Sequence, residues 1–168
     1  MTIRFRSRYV HAAVVEHLRT QLTALGWVAP PTNFGAMPVR VVDYQPDERG
    51  ERIEQNTVAV SLGDLGSDED RELGASAGGL RSMEYPIFID VYMSEQALSV
   101  AIGDDIRDIL QHLVLPIVDK ATGQVVPNAR LQVEDVMGPT RPQASIGAEQ
   151  FKRFWRVIKL ETHLYYQT

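Results

Sequence analysis

Two long runs of strict alternation constrain this chain more than any other feature. In Arg81–Met93, the residues Met83, Tyr85, Ile87, Ile89, Val91 and Met93 fall on one side. Ser82, Glu84 and Asp90 fall on the other, together with Phe88 and Tyr92. In Phe151–Tyr166, the residues Phe154, Ile158, Leu160, Leu164 and Tyr166 share one side. A period of two is the signature of a β-strand with one face buried. The second run would span ~50 Å at about 3.3 Å per residue, whereas strands usually have about 5–6 residues. Such a strand is either bulged and bent or paired outside its own domain. Two overlong strands predict a sheet that continues into a neighbouring subunit. Pro86 lacks an N–H, which predicts a sheet edge or a bulge at that position.

Helical periodicity appears twice. Val10, Val14, Leu18, Leu22 and Leu25 recur every three or four residues, with Ser7 placed to cap the helix and Gly26 to end it. Leu98, Ile102, Ile106, Ile109, Leu110 and Leu113 form a second stripe over Glu95–Leu113, with Ser94 as its expected cap. Val39–Tyr44, Thr57–Leu62 and Leu131–Val136 read as strands, and Lys120–Gly123 as the turn of a short hairpin. Exposed loops are expected at about 63–80 and 138–150, both rich in glycine. Runs of strands with only two helices predict an α+β fold over a single domain, 1–168. In it a mainly antiparallel β-sheet carries two amphipathic helices packed on one face, with long strands extending into subunit contacts.

Composition excludes several function classes. The 168 residues contain no cysteine, which removes disulfide scaffolds, thiolate zinc sites and cysteine nucleophiles. No apolar run approaches the roughly 18 residues of a membrane span, and the first residues lack the apolar stretch of a secretory leader. Synthesis in a cytoplasm is the expectation. The net charge of −5 disfavours a dedicated nucleic-acid binder. Its distribution is uneven. Residues 43–108 hold 16 acids and 5 bases, whereas the rest holds 12 bases and 6 acids.

The search for catalytic chemistry finds little. Asp104-Asp105-Ile106-Arg107-Asp108 has the DDxxD form of a magnesium–diphosphate site, but Asp104 lies on the solvent side of its helix and no second acidic helix accompanies it. Asp68–Glu72 resembles the start of a calcium loop, yet Leu73 and Gly79 occupy the positions that need glycine and glutamate. His11, His17, His112 and His163 form neither HxxxH nor HExxH and read as core-edge or interfacial residues. No nucleophile elbow, phosphate-binding loop or dinucleotide fingerprint occurs. The expectation is no catalytic residue, no metal and no cofactor. The basic clusters carry more information. Arg4, Arg6 and Arg8 alternate with Ile3, Phe5 and Ser7, and Lys152, Arg153, Arg156 and Lys159 flank Trp155. Arginine with aromatics is an interface composition. With the acids concentrated elsewhere, charge-complementary contact between copies is expected.

The order of these elements resembles the tail terminator, or tail-completion, proteins of long-tailed bacteriophages. The resemblance rests on the amphipathic helix Tyr9–Leu25, two strands with a polar interval, the segment Arg81–Tyr92, the helix Ala97–Leu113 that directly follows, and the closing strand Phe151–Tyr166. It implies a non-enzymatic α+β virion subunit that closes into a hexameric ring, caps the tail tube, ends its growth and joins the tail to the head connector. The implied partners are further copies, the tail tube protein and the connector or neck proteins. DNA passes through the lumen without specific binding, and no membrane is involved. The implied location is the head–tail junction of a virion assembled in the host cytoplasm. Within that reading Arg4, Arg6, Arg8, Lys152, Arg153, Trp155 and Arg156 are expected at subunit or ring contacts. Asp64, Asp68, Glu69, Asp70 and Glu72 are expected on an acidic loop facing the lumen. The alternatives are another neck, head-completion or tube component, or a small cation- or ligand-binding domain using Asp104, Asp108 and a histidine.

Overall fold

The computed structural model describes residues 7–28, 39–44, 56–63, 71–73, 80–119, 121–141 and 154–167. The fold is α+β. Helix α1 (Ser7–Ala24) is followed by strands β1 (Arg40–Val42), β2 (Thr57–Leu62), β3 (Arg71–Leu73) and β4 (Leu80–Met93). Helix α2 (Gln96–Leu110) then leads to β5 (Val114–Val118), β6 (Val125–Thr140) and β7 (Phe154–Gln167). The sheet order is β1-β2-β4-β7-β6-β5, with β3 added against the start of β4. Every described pairing is antiparallel except β1 with β2.

The alternation in β4 and β7 sorts side chains as the sequence predicts. Ile87, Ile89, Val91, Ile158, Leu160 and Leu164 are fully buried on one face. Both helices cover that face, and Val10, Val14, Leu18 and Leu22 of α1 meet Ile102, Ile106 and Leu110 of α2 in one continuous core. Each such Leu, Ile or Val contributes about 1.5–3 kcal/mol when fully withdrawn from water. Helix α1 ends as Gly26 allows. At φ 84°, Gly26 donates to the Thr23 carbonyl, and Trp27 donates to that of Leu22. This paired geometry is a Schellman motif. Leu25 lies past the helix end and is exposed, so it does not extend the buried stripe. Trp27 is buried, and its indole N–H donates to Asp105 Oδ2 at 2.7 Å, tying the end of α1 to α2.

Four expectations need correction. First, the described length of β7 is paired within its own chain, not outside it. Its 14 residues pair without a break against Leu80–Met93, and β6 pairs with its other side. The overlong strands are therefore the centre of the chain's own sheet. Second, β6 is a third long strand, not a hairpin arm followed by a separate strand and a loop. It runs to Thr140, so the loop expected from Gly138 begins at Arg141 at the earliest. Its alternation was broken by irregularities: Asn128 at φ 57°, a register shift between Val133 and Asp135, and another between Met137 and Thr140. Gly138 sits in the last shift at φ 106°, where a Cβ would stand 2.6 Å from the Val157 carbonyl oxygen. Only glycine fits there. Third, the stretch 63–80 contains β3, and Glu72 pairs with Arg81 within it. Fourth, Ser94 does not cap α2. Glu95 holds the N-cap position with no side-chain cap bond, and the Ser94 N–H instead donates to Asn56 Oδ1 at 2.9 Å.

Pro86 lies in an interior strand, at the point where the β2 ladder ends. Leu62 pairs with Ile87, and the next residue, Gly63, donates to the Pro86 carbonyl at 2.8 Å. The reciprocal bond would need the N–H that proline lacks, so the ladder stops. The outer edge of the sheet uses the same device. The Val133 N–H bonds to the Leu113 carbonyl, and the Asp119 N–H to that of Gln124, so odd-numbered residues of β5 direct their backbone toward β6. Val114, Pro116 and Val118 therefore face the open edge, with the proline in the middle. A proline on an edge strand blunts it against strand addition. The opposite edge, β1, has only three residues.

Candidate interaction surfaces

The helices leave one face of the sheet uncovered by either of them. Near its β2 side this face carries a small second cluster of Val42, Ala59 and Tyr92, against which Tyr44 and Trp155 pack. The Trp155 ring stacks on Tyr92 at 5.7 Å between centroids, and its N–H donates to Asp90 Oδ1 at 2.8 Å. Asp90 is only 6% exposed, which sequence alternation alone does not reveal. The indole of Trp155 is thus engaged within its own chain. Arg156, its neighbour in sequence, points to the other face, where Nε donates to Ser99 Oγ at 3.3 Å. Successive residues of a strand face opposite ways, so Trp155 and Arg156 do not form one patch.

Farther along the same outer face, His163 of β7 sits between Glu84 of β4 and Glu134 of β6, at 3.3 and 3.9 Å. The Tyr165 hydroxyl donates to Glu134 Oε1 at 3.1 Å, and Arg130 lies over the Tyr165 ring. Burial first, then Glu134, raises the Tyr165 phenol above its ordinary value, so it stays a neutral donor. Beside this cluster a shallow concavity of about 300 Å³ opens between Pro86, Lys159, Glu161 and His163. Thr162, on the opposite face at this level, is 1% exposed, and its hydroxyl donates to the Tyr85 carbonyl. No sequence signal marks the His163 group, because its members come from three strands and meet only through the β4–β7–β6 register.

A second groove, of about 240 Å³, separates α1 from the edge strand β5. Tyr9, Ala13, Glu16, His17, Leu115 and Val118 line it. Burial in its wall lowers the His17 pKa, favouring the neutral ring. Below the groove, on the outer face of the β5–β6 hairpin, Val114, Val118 and Val125 are 52%, 37% and 57% exposed. His11 is used differently: its Nε2 lies 2.6 Å from the Val60 carbonyl oxygen and donates to it.

The predicted site residues are dispersed. Arg8 lies in the first turn of α1, and Glu72 lies in β3. Arg4, Arg6, Lys152, Arg153, Asp64, Asp68, Glu69 and Asp70 lie outside the described residues. Asp104 and Asp108 are exposed on α2, as the helix geometry predicts. Among the described residues no three His, Asp or Glu side chains are placed to hold a metal ion, and no helix is long and apolar enough to cross a membrane. The described surfaces offer charged side chains, exposed apolar side chains and two grooves. No protein-family model matches the chain, and no curated protein matches it.

Proposed function

We propose that this chain is a structural ring subunit at the head–tail junction of a long-tailed phage, where a closed ring caps the tail tube, ends its growth and joins it to the connector. The order and layering of the elements carry the reading. An N-terminal amphipathic helix precedes short strands, a long strand leads within three residues into the second helix, a long strand closes the fold, and both helices lie on one face. Ring closure needs a heterologous contact that repeats after a fixed rotation. Blunted sheet edges favour that outcome, because they oppose open-ended strand addition.

In this reading the acidic segment Asp64–Glu72 faces the lumen. Its charge repels phosphates, so DNA passes without the salt-sensitive contacts that would hold it. The arginines near the N-terminus, Arg4, Arg6 and Arg8, meet a neighbouring subunit or ring, as do Lys152, Arg153 and Arg156.

The test is the mass of the purified chain in solution, alone and with growing tail tubes. A closed ring, or a monomer that becomes one on tube ends and stops their elongation, is the expected result. Open-ended stacking would favour a tube subunit. A monomer indifferent to tubes would overturn the proposal.

A further inference from the structure

Helix α1 covers one face of the sheet, and it also closes one rim. Successive residues of a paired strand direct their backbone groups to alternate sides. The Arg40 N–H donates to the Asn56 carbonyl, so Arg40 and Val42 face β2. Val39, just before β1, and Val41 within it face the other way, along the rim. The groups whose bonds are described there are met by α1 and its end, not by a further strand. The Val39 N–H donates to the Trp27 carbonyl at 2.9 Å. The Val41 carbonyl accepts from Arg19 Nε at 3.2 Å and from Arg19 Nη2 at 2.9 Å. One strand inward the pattern repeats. Val60 of β2 faces the β1 side, but β1 ends at Val42, opposite Ala59. His11 of α1 fills the gap, its Nε2 donating to the Val60 carbonyl at 2.6 Å.

The backbone of an edge strand is a template for pairing with another chain. The β5 rim is blunted by Pro116, whereas β1 has no proline and relies on a side chain from the helix above it. Arg19 is itself exposed, yet it lays its guanidinium on the carbonyl of a residue that is only 7% exposed. We infer that Arg19 guards a self-association site. With Arg19 in place the β1 rim is closed; without it a second copy adds antiparallel through its own β1 rim. That partner fits because a strand edge presents both donors and acceptors, so it complements its own copy across a twofold axis. The strand has three residues, so such a pairing gains few hydrogen bonds and one guanidinium is enough to decide it. His11 caps a carbonyl of the strand behind, which leaves Arg19 in control of the outer edge. The inference does not rest on the ring reading. It states which contact copies of this chain are denied, whatever contact they use.

Arg19→Ala removes both donors and tests the inference. Sedimentation velocity over a range of protein concentrations is expected to show association about tenfold tighter than in the parent chain, the effect of one or two added backbone hydrogen bonds. If the parent is a closed ring, the variant links rings; if it is a monomer, the variant links monomers. Hydrogen exchange read by mass spectrometry on the peptide holding residues 39–42 locates the contact. Its protection is expected to rise with concentration in the variant and to stay constant in the parent. Equal association of the two chains would overturn the inference. So would tighter association with no gain of protection in β1, or a loss of protection there without association, which would make Arg19 a support for the strand and nothing more. Should the alanine variant not fold, Arg19→Gln keeps part of the stem against α1, shortens the reach of the donor and carries the same expectations.

Discussion

Replacing Trp155 by phenylalanine separates a structural role for this side chain from a contact role. Phenylalanine keeps an aromatic ring against Tyr92 but removes the N–H that donates to Asp90 Oδ1 at 2.8 Å. Asp90 is 6% exposed, so water does not readily replace the lost donor. A hydrogen bond to a charged group contributes about 1.5–3 kcal/mol. Asp90 and Trp155 both take part in further interactions as well, so a loss of about 2 kcal/mol is expected. For a chain of this size that corresponds to about 4–8 °C in Tm. Urea unfolding followed by far-UV circular dichroism measures it, at two protein concentrations, so that any contribution from assembly appears as a concentration dependence. Asp90→Ala and the double variant complete a cycle, with an expected coupling of about 1–2 kcal/mol. A loss below about 0.5 kcal/mol with no coupling would refute the argument. Unchanged stability with failed assembly would return Trp155 to a contact between copies.

Three other outcomes follow from single features. Gly138→Ala places a Cβ 2.6 Å from the Val157 carbonyl oxygen at φ 106°, and is expected to cost about 3 kcal/mol in chemical denaturation, the upper range for backbone strain. Thr162→Val keeps the shape but removes the donor to the Tyr85 carbonyl, and a loss of about 1–2 kcal/mol is expected in the same assay. Burial lowers the His17 pKa in the folded chain, so the unfolded chain binds the proton more readily. His17 therefore contributes stability above its ordinary value of 6.5 and loses it as pH falls through the folded value. Thermal unfolding between pH 7.5 and 5 is expected to show a shallower decline for His17→Gln than for the parent chain, and equal slopes would contradict it.

The parts of the fold that follow a regular period were legible in the residues. In β4 the alternation of Tyr85, Ile87, Ile89, Val91 and Met93 matches the buried face, and Met83, the first of the stripe, is half-buried against the same core. Helix α1 was legible from its stripe and from Gly26. Strand β6 was not. Its buried residues are Val126, Ala129, Leu131, Val133 and Val136, and the steps of three between them come from backbone irregularities that no two-residue period reveals. Strand β3 has only three residues and a charged composition, so its pairing with β4 depends on tertiary position. Length misled in β7, because a long strand is also what the middle of a long-stranded sheet requires. The outer-face groups were hidden for a related reason. Asp90 with Trp155, and His163 with Glu84 and Glu134, are neighbours through register rather than through sequence.

The place of β7 in the sheet also sets the order in which the molecule can be completed. Of the strands described, the last in chain order is the one that joins β4 to β6, and its partners in β4 lie 61 residues upstream at Met93–Phe154 and 87 at Leu80–Gln167. Without it, the pairings that remain are those of β1, β2, β3 and β4 on one side and the β5–β6 hairpin on the other, each with an open flank of unpaired backbone. Pairings this distant in sequence close slowly. During that interval the chain is most exposed to mispairing. The blunted rims of the finished sheet offer no protection then, because the vulnerable flank is the one that later becomes its centre.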